Sequence, residues 1–241
     1  MSLSFILWSI ISGFLISFWG WTIYVVLNQK RAWKFYADKK KLRFHSNGML
    51  ETPSISGAVD GYKVSIFASE HSELDSRSQR RLTAIEIAMH TGLPFHGAIA
   101  SGGMVPIVDV LDLPQEYKPP ASGWDDSYII RTRDQNLMQK YFTDERVKAL
   151  IDLMQVEKAW VILLFLGDYG LLRLDTPSPI DNPKDLDKLI NQLIAVAREL
   201  ELKDGEAKDI INDRSKLDKA TAKLKIDDKL LGDDIGFELE D

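Results

Sequence analysis

The side chains with chemistry to offer are four histidines, one Ser-Gly-Gly triplet and several paired carboxylates. His71 stands in SEHSELD beside Glu70, Glu73 and Asp75, donor types that suit a divalent ion. Their spacing matches no defined ligand set, and a solvated acidic loop accounts for the same letters. His90 and His96 flank a turn at Thr91-Gly92-Leu93-Pro94. A hairpin closing there sets 90 opposite 95 and 89 opposite 96, so the two rings face opposite sides. Ser101-Gly102-Gly103 offers a hydroxyl beside a permissive backbone, but Ile99 stands where a nucleophile elbow needs its first glycine, and no lysine follows as a phosphate loop requires. Asp125-Asp126 beside Trp124 resembles an acid/base pair, yet adjacent acids are common in a chain with 36 of them, and a surface turn is the better reading. No catalytic residue, metal ligand or cofactor is nominated by these patterns.

The residues that would have to position any such chemistry begin with a long apolar run. From Met1 to Gln29 there is no charged side chain, and residues 3–27 are apolar apart from scattered Ser, Thr and Gly. At about 1.5 Å per residue this run exceeds the roughly 30 Å hydrocarbon layer of a bilayer. A secretory signal carries its cations before a shorter apolar stretch and ends in a small-residue cleavage site; here the cations follow, so the expectation is an uncleaved transmembrane anchor. Ser9, Gly13, Ser17 and Gly20 are spaced by four, four and three and fall on one helix face. Small residues let helices approach closely in lipid, which makes this a candidate helix-packing face.

Directly after the run come Lys30, Arg31, Lys34, Lys39, Lys40, Lys41 and Arg43, seven cations against the single acid Asp38. Such a cluster stays on the cytoplasmic side, so the expected topology has the N-terminus outside and the rest of the chain in the cytoplasm of a plasma or inner membrane. Trp19, Trp21, Tyr24, Trp33, Phe35 and Tyr36 gather at the same boundary, where amphipathic rings suit headgroup depth. The candidate membrane-interface set is therefore Lys30, Arg31, Trp33, Lys34, Tyr36, Lys39, Lys40, Lys41 and Arg43, facing anionic lipid.

The net charge of −6 conceals a contrast: removing the seven cations and one acid of the stem leaves 23 cations and 35 acids, net −12. So acidic a remainder does not suit a nucleic-acid backbone. The absence of cysteine excludes disulfides, thiolate zinc sites and cysteine nucleophiles. The last sixteen residues, IDDKLLGDDIGFELED, hold seven acids and one lysine. Leu230, Leu231, Ile235, Phe237 and Leu239 are interleaved among them, a composition that fits either a solvating tail or a segment ordering on a basic, apolar partner groove.

Between stem and tail the pattern alternates strands and turns. Asp60-Gly61 between SISGAV and YKVSIFA is a hairpin signal. Ser69 to Arg80 reads as a polar loop, RLTAIEIAMH as a half-buried strand, residues 101–126 as mostly irregular, and SYIIRTRD as a strand. Thr143 caps a helix with Val147, Leu150, Ile151 and Met154 on one face, AWVILLFL and LLRLDT form a hairpin, and Asn182-Pro183 opens an amphipathic helix ending near Leu200. About seven strands and two helices make the class α+β, a mainly antiparallel β domain behind one N-terminal transmembrane helix. The expected division is 1–29 anchor, 30–49 basic stem, 50–201 cytoplasmic domain and 202–241 acidic tail.

These features point to a non-enzymatic, single-pass accessory, scaffold or assembly subunit of a membrane protein complex, bound to lipid through anchor and stem and to a membrane-protein partner or a second copy. The alternatives are a membrane-tethered hydrolase using carboxylates and His71, and a lipid- or peptide-binding module, since seven strands closed by a helix is also the element count of the pleckstrin-homology architecture. The expected topology is tested by adding protease outside intact cells: the large domain should stay undigested, and its digestion would reverse the orientation.

Overall fold

Asp60 and Gly61 have φ of +51° and +89°. Two consecutive left-handed residues are what a two-residue hairpin turn demands, and an aspartate followed by glycine tolerates them. The turn joins β2 (Ser54–Val59) to β3 (Tyr62–Ser72) with Val59 opposite Tyr62. The structure, a computed structural model, describes residues 3–48, 51–72, 79–167, 169–177, 180–203, 205–210 and 212. The chain begins with α1 (Leu3–Lys40) and β1 (Arg43–His45). After β3 come β4 (Gln79–Met89), β5 (Gly97–Ala100), a 3₁₀ turn at Gly102–Met104, α2 (Val105–Asp109), β6 (Gln115–Glu116) and β7 (Ile129–Thr132). Then follow α3 (Gln135–Tyr141), α4 (Asp144–Met154), β8 (Trp160–Leu166), β9 (Tyr169–Thr176) and α5 (Pro183–Leu200).

The strands form one antiparallel sheet in the order β1-β2-β3-β4-β9-β8-β5-β7-β6. The class is α+β, as expected, with an N-terminal apolar helix ahead of a mostly antiparallel sheet. Three local expectations need correction. The polar stretch from Ser69 to Arg80 is no simple loop: β3 and β4 stay paired out to Ser72 opposite Gln79, because ladder hydrogen bonds are indifferent to side-chain polarity. Residues 91–94 close no hairpin, since β4 pairs with β3 and β9 while β5 pairs with β7 and β8. Two helices are joined by the shorter α3 and α2.

One face of the sheet is covered by the C-terminal part of α1 together with α3, α4 and α5, enclosing Ile66, Ile85, Ile87, Leu163, Phe165, Leu172 and Leu174. α5 buries Leu186, Ile190, Leu193, Ile194, Ala197 and Leu200 here, the leucines and isoleucines worth roughly 1.5–3 kcal/mol each for full burial. The caps read from sequence form: Thr143 accepts from the Arg146 N–H and Asn182 from the Lys184 N–H. On the opposite face α2 and the 3₁₀ turn cover a smaller core of Ala98, Ala100, Met104, Val108 and Ile162. Beside it Arg173 donates two hydrogen bonds to the fully buried Asp175, at 2.7 and 2.8 Å, and one to Glu86 at 3.1 Å across the β4–β9 ladder.

The far end is locked by Arg146, only 1% exposed. Its guanidinium donates to the carbonyls of Tyr141, Glu199 and Glu201 and, at 2.7 Å, to Glu206 Oε2, and it lies 4.4 Å from the centre of the Tyr141 ring. Arg146 thereby closes the C-terminus of α5 and ties down the following turn, so the folded unit runs past Leu200 to Ile210, which is buried. Burial opposes the guanidinium's charge, but the Glu206 bond together with the electrostatic effects of Tyr141, Glu206 and Glu199 outweighs it and holds Arg146 above its ordinary value. The Arg146 bond in turn holds the Glu206 carboxyl below the usual range, against the opposing effect of burial.

Removing Arg146 while leaving Glu206 should cost about 3–5 kcal/mol, read as a lower unfolding midpoint for Arg146→Met. Because Glu206 is depressed in the folded state, its contribution is present above the unfolded carboxylate value of about 4.3 and is lost as pH falls through the lower folded value. Thermal unfolding of Glu206→Gln should therefore lie below the parent at neutral pH and converge with it in acid; a gap independent of pH would contradict the ion pair.

Candidate membrane interface

α1 is 38 residues long, about 57 Å at about 1.5 Å per residue, with no break between its uncharged run and its basic end. It is long and apolar enough to cross a membrane, by length and composition. Large side chains such as Trp8, Phe14, Ile16 and Trp19 are exposed along the run. The Ser9, Ser17 and Thr22 hydroxyls donate to the carbonyls of Phe5, Gly13 and Phe18, at 2.9, 2.8 and 3.0 Å, so they need no partner in lipid. Nothing lies within 4 Å of where a Cβ on Gly13 or Gly20 would stand, and Gly20 forms a notch between Ile16, Trp19 and Ile23. On the face of Ser9, Gly13, Ser17 and Gly20 the hydroxyls are thus taken up within the helix, and the backbone at the two glycines is left uncovered.

The stem departs from its expected role. Trp33 and Tyr36 are each 1% exposed and sit in the domain core with Ala32 and Ala37, not at headgroup depth. Positions 32, 33, 36 and 37 share one face of a helix, and that face carries the largest apolar area of the stem, so it packs on the sheet. The Trp33 indole N–H donates to the Ile180 carbonyl at 2.9 Å. Burial, then the carboxylates of Asp187 and Asp60, push the Tyr36 phenol above its ordinary range. Phe35, one residue away, points outward and is exposed.

The cations divide in the same way. Lys30 donates to the Gly48 carbonyl. Lys40 lies 2.9 Å from Asp187 of α5 and is held to the domain, while Lys39 lies 3.8 Å from the same carboxylate and is exposed. Arg31, Lys34, Lys41 and Arg43 are exposed. Lys41 has a φ of +56° and ends α1: its own N–H and that of Leu42 return to the carbonyls of Asp38 and Ala37, at 3.4 and 2.8 Å. Where α1 meets the sheet a crevice of about 260 Å³ opens, lined by Val26, Gln29, Trp33, Pro53, Thr83 and Pro177 among others.

The remaining candidates are not brought together. Ser101 is buried and its Oγ accepts the Val161 N–H at 3.0 Å. Gly102 and Gly103 carry the Trp160 ring, which a Cβ would meet at 2.3 and 2.5 Å, so the triplet is a packing site for tryptophan. His90 lies at the far end, with its N–H and ring Nδ1 at 2.7 and 3.0 Å from Glu201, while the chain carries His96 toward Gly167. Glu201 also accepts from Tyr62 at 2.9 Å; burial and then this bond push the Tyr62 phenol up to about 12. Asp125 accepts the Ser127 N–H and Asp126 pairs with Lys118, both in an exposed turn. Among the described residues no group of three or more His, Asp or Glu could hold a metal ion. The His71 side chain and Leu230, Leu231, Ile235, Phe237 and Leu239 lie outside the described residues. Arg146 and Asp187, which fix the two ends of this arrangement, were missed; their partners lie sixty and about 150 residues away in sequence, and no local pattern marks them.

No protein-family model and no curated protein matches this chain. Among solved structures it resembles the mycobacterial trehalose monomycolate transport factor A, TtfA, with 11% identity and a TM-score of 0.41 over 72% of this chain and 94% of that one. A likeness of that size carries no argument about fold or function.

The buried stem face makes a direct prediction. Trp33→Ala should lower the stability of the full chain by about 3–5 kcal/mol, while Phe35→Ala changes it by less than about 0.5 kcal/mol. Chemical denaturation in detergent reads both; equal effects would show that the stem does not pack as described.

Proposed function

We propose that this chain is a single-pass, membrane-anchored accessory or assembly subunit of a membrane protein complex, without enzymatic activity of its own. The observation that carries the reading is the continuity of α1: one helix is lipid-compatible at its N-terminal end and core-forming at Trp33, Tyr36 and Ala37. Any helix that packs on the Ser9, Gly13, Ser17 and Gly20 face is thereby held at a set distance and angle from the domain. An enzyme needs no such coupling, whereas a subunit that positions a cytoplasmic domain against membrane partners does.

In this reading the N-terminus is outside and the domain is cytoplasmic, at a plasma or inner membrane, oriented by the cations that follow the apolar run, of which Arg31 and Lys34 are the exposed ones nearest to it. The acidic tail, with Leu230, Leu231, Ile235, Phe237 and Leu239, is a second contact that orders on a basic and apolar partner surface.

Two experiments test the two contacts separately. Purification of the intact complex in mild detergent should yield a stoichiometric membrane partner or a second copy, and Gly13→Leu with Ser17→Leu should abolish that association without lowering the amount of folded chain. Deleting residues 226–241 should leave the helix contact intact and weaken capture of a soluble partner. A chain purified alone and insensitive to both changes would overturn the subunit reading.

A further inference from the structure

Two contacts fix how α1 runs over the sheet. At its C-terminal end, the Ala37 carbonyl accepts from Leu42, and Leu42 packs so closely on Gly57 that a Cβ there would stand 2.6 Å away. Gly57 pairs with Val64, and Val64 with Ile87. Eight residues earlier in α1, Gln29 Nε2 donates to Thr83 Oγ1 at 3.5 Å. Those eight helical residues advance about 12 Å, and the four strand residues from Ile87 to Thr83 about 13 Å. Helix and strands therefore descend together, and the end of β4 carrying Thr83 is the end nearest the apolar run. The other end, at His90, lies beside Glu201.

The β3–β4 ladder continues past this level. Ser69 pairs with Leu82, Glu70 with Arg81, His71 with Arg80 and Ser72 with Gln79. Four more residues carry its backbone about 13 Å further, and the same distance along α1 from Gln29 ends about nine residues back, near Gly20 and Trp21. The helix changes character at the same level: residues 25–30 are half-buried against the domain, whereas Trp19, Trp21 and Tyr24 are exposed. The apolar run is continuously half-covered by protein only over residues 25–27, its C-terminal end. Residues 3–21, up to the exposed Trp19 and Trp21, span about 28 Å, close to the roughly 30 Å hydrocarbon thickness.

We propose that the hydrocarbon layer ends near Trp21 rather than Leu27, and that the paired residues 69–72 and 79–82 of β3 and β4 lie at the level of the phospholipid headgroup layer, giving the domain a second lipid contact beside α1. The proposal rests on α1 spanning the membrane. The ladder residues at that level, Glu70, His71, Arg80 and Arg81, are types that belong among headgroups and not in hydrocarbon. The three aromatic residues at the same depth mark the boundary from the helix side.

The chain has no cysteine, so single labels are placed without a cysteine-free background. Ser72→Cys, Gln79→Cys, Asp60→Cys and Ser9→Cys variants of the full chain carry an environment-sensitive fluorophore in vesicles of phosphatidylcholine and phosphatidylglycerol. Nitroxide lipids labelled at the headgroup or in mid-chain serve as quenchers. Headgroup nitroxides should remove most of the fluorescence at Ser72→Cys and Gln79→Cys and little at Asp60→Cys, while mid-chain nitroxides quench Ser9→Cys. If Ser9→Cys is quenched as expected but both ladder sites behave like Asp60→Cys, the ladder contact is wrong and the spanning helix stands. If Ser9→Cys escapes mid-chain quenching, the spanning reading fails and takes this proposal with it.

Discussion

The packing of one helical face, Ala32, Trp33, Tyr36 and Ala37, against the sheet is the interaction on which the rest of this structure depends. It decides that α1 is at once a lipid-compatible rod and a core element. The two roles use different faces and different lengths of the same helix, and the hydrogen-bonded backbone between them is unbroken. A flexible stem would let the domain drift from the bilayer; burying a tryptophan and a tyrosine from the stem prevents it. The polar contacts around the face add direction rather than bulk stability: the Trp33 indole finds the Ile180 carbonyl, and Lys40 finds Asp187.

The opposite end is held by a different device. Arg146 adds to the C-terminal cap of α5 by donating to the Glu199 and Glu201 carbonyls, and Glu206 balances the buried charge. Such a pair adds little net stability over a well-packed apolar substitute, yet breaking it is costly, which makes it a device for fixing geometry. What it fixes is the turn after α5, at the end of the sheet opposite the one where the apolar run of α1 arrives.

Much of this was legible in the sequence where the signal is local. The Asp60-Gly61 turn, the Thr143 and Asn182 caps and the apolar face of α5 follow from residue types at short spacing, and each is found where expected. The insertion of β9 and β8 between β4 and β5 was not legible, because strand order is decided by tertiary pairing across some eighty residues. α3 escaped notice because seven residues give too few turns for a periodic pattern. In the stem, residue type and depth suggest a headgroup role for every aromatic residue, whereas spacing, with Trp33 and Tyr36 on the face of Ala32 and Ala37 and Phe35 on the other, separates a core face from an outer one. The Ser-Gly-Gly triplet shows the converse: a motif with catalytic associations turned out to be the floor beneath Trp160.

The central claim is that domain and span move as one body. Its most direct test is the distance distribution between spin labels at Ile16→Cys in the apolar run and Asp60→Cys at the far hairpin turn, measured by pulsed electron spin resonance on the full chain in bilayer discs. The account predicts one narrow peak, broadened when Trp33→Ala is added. A broad or multiple distribution in the parent chain would contradict it.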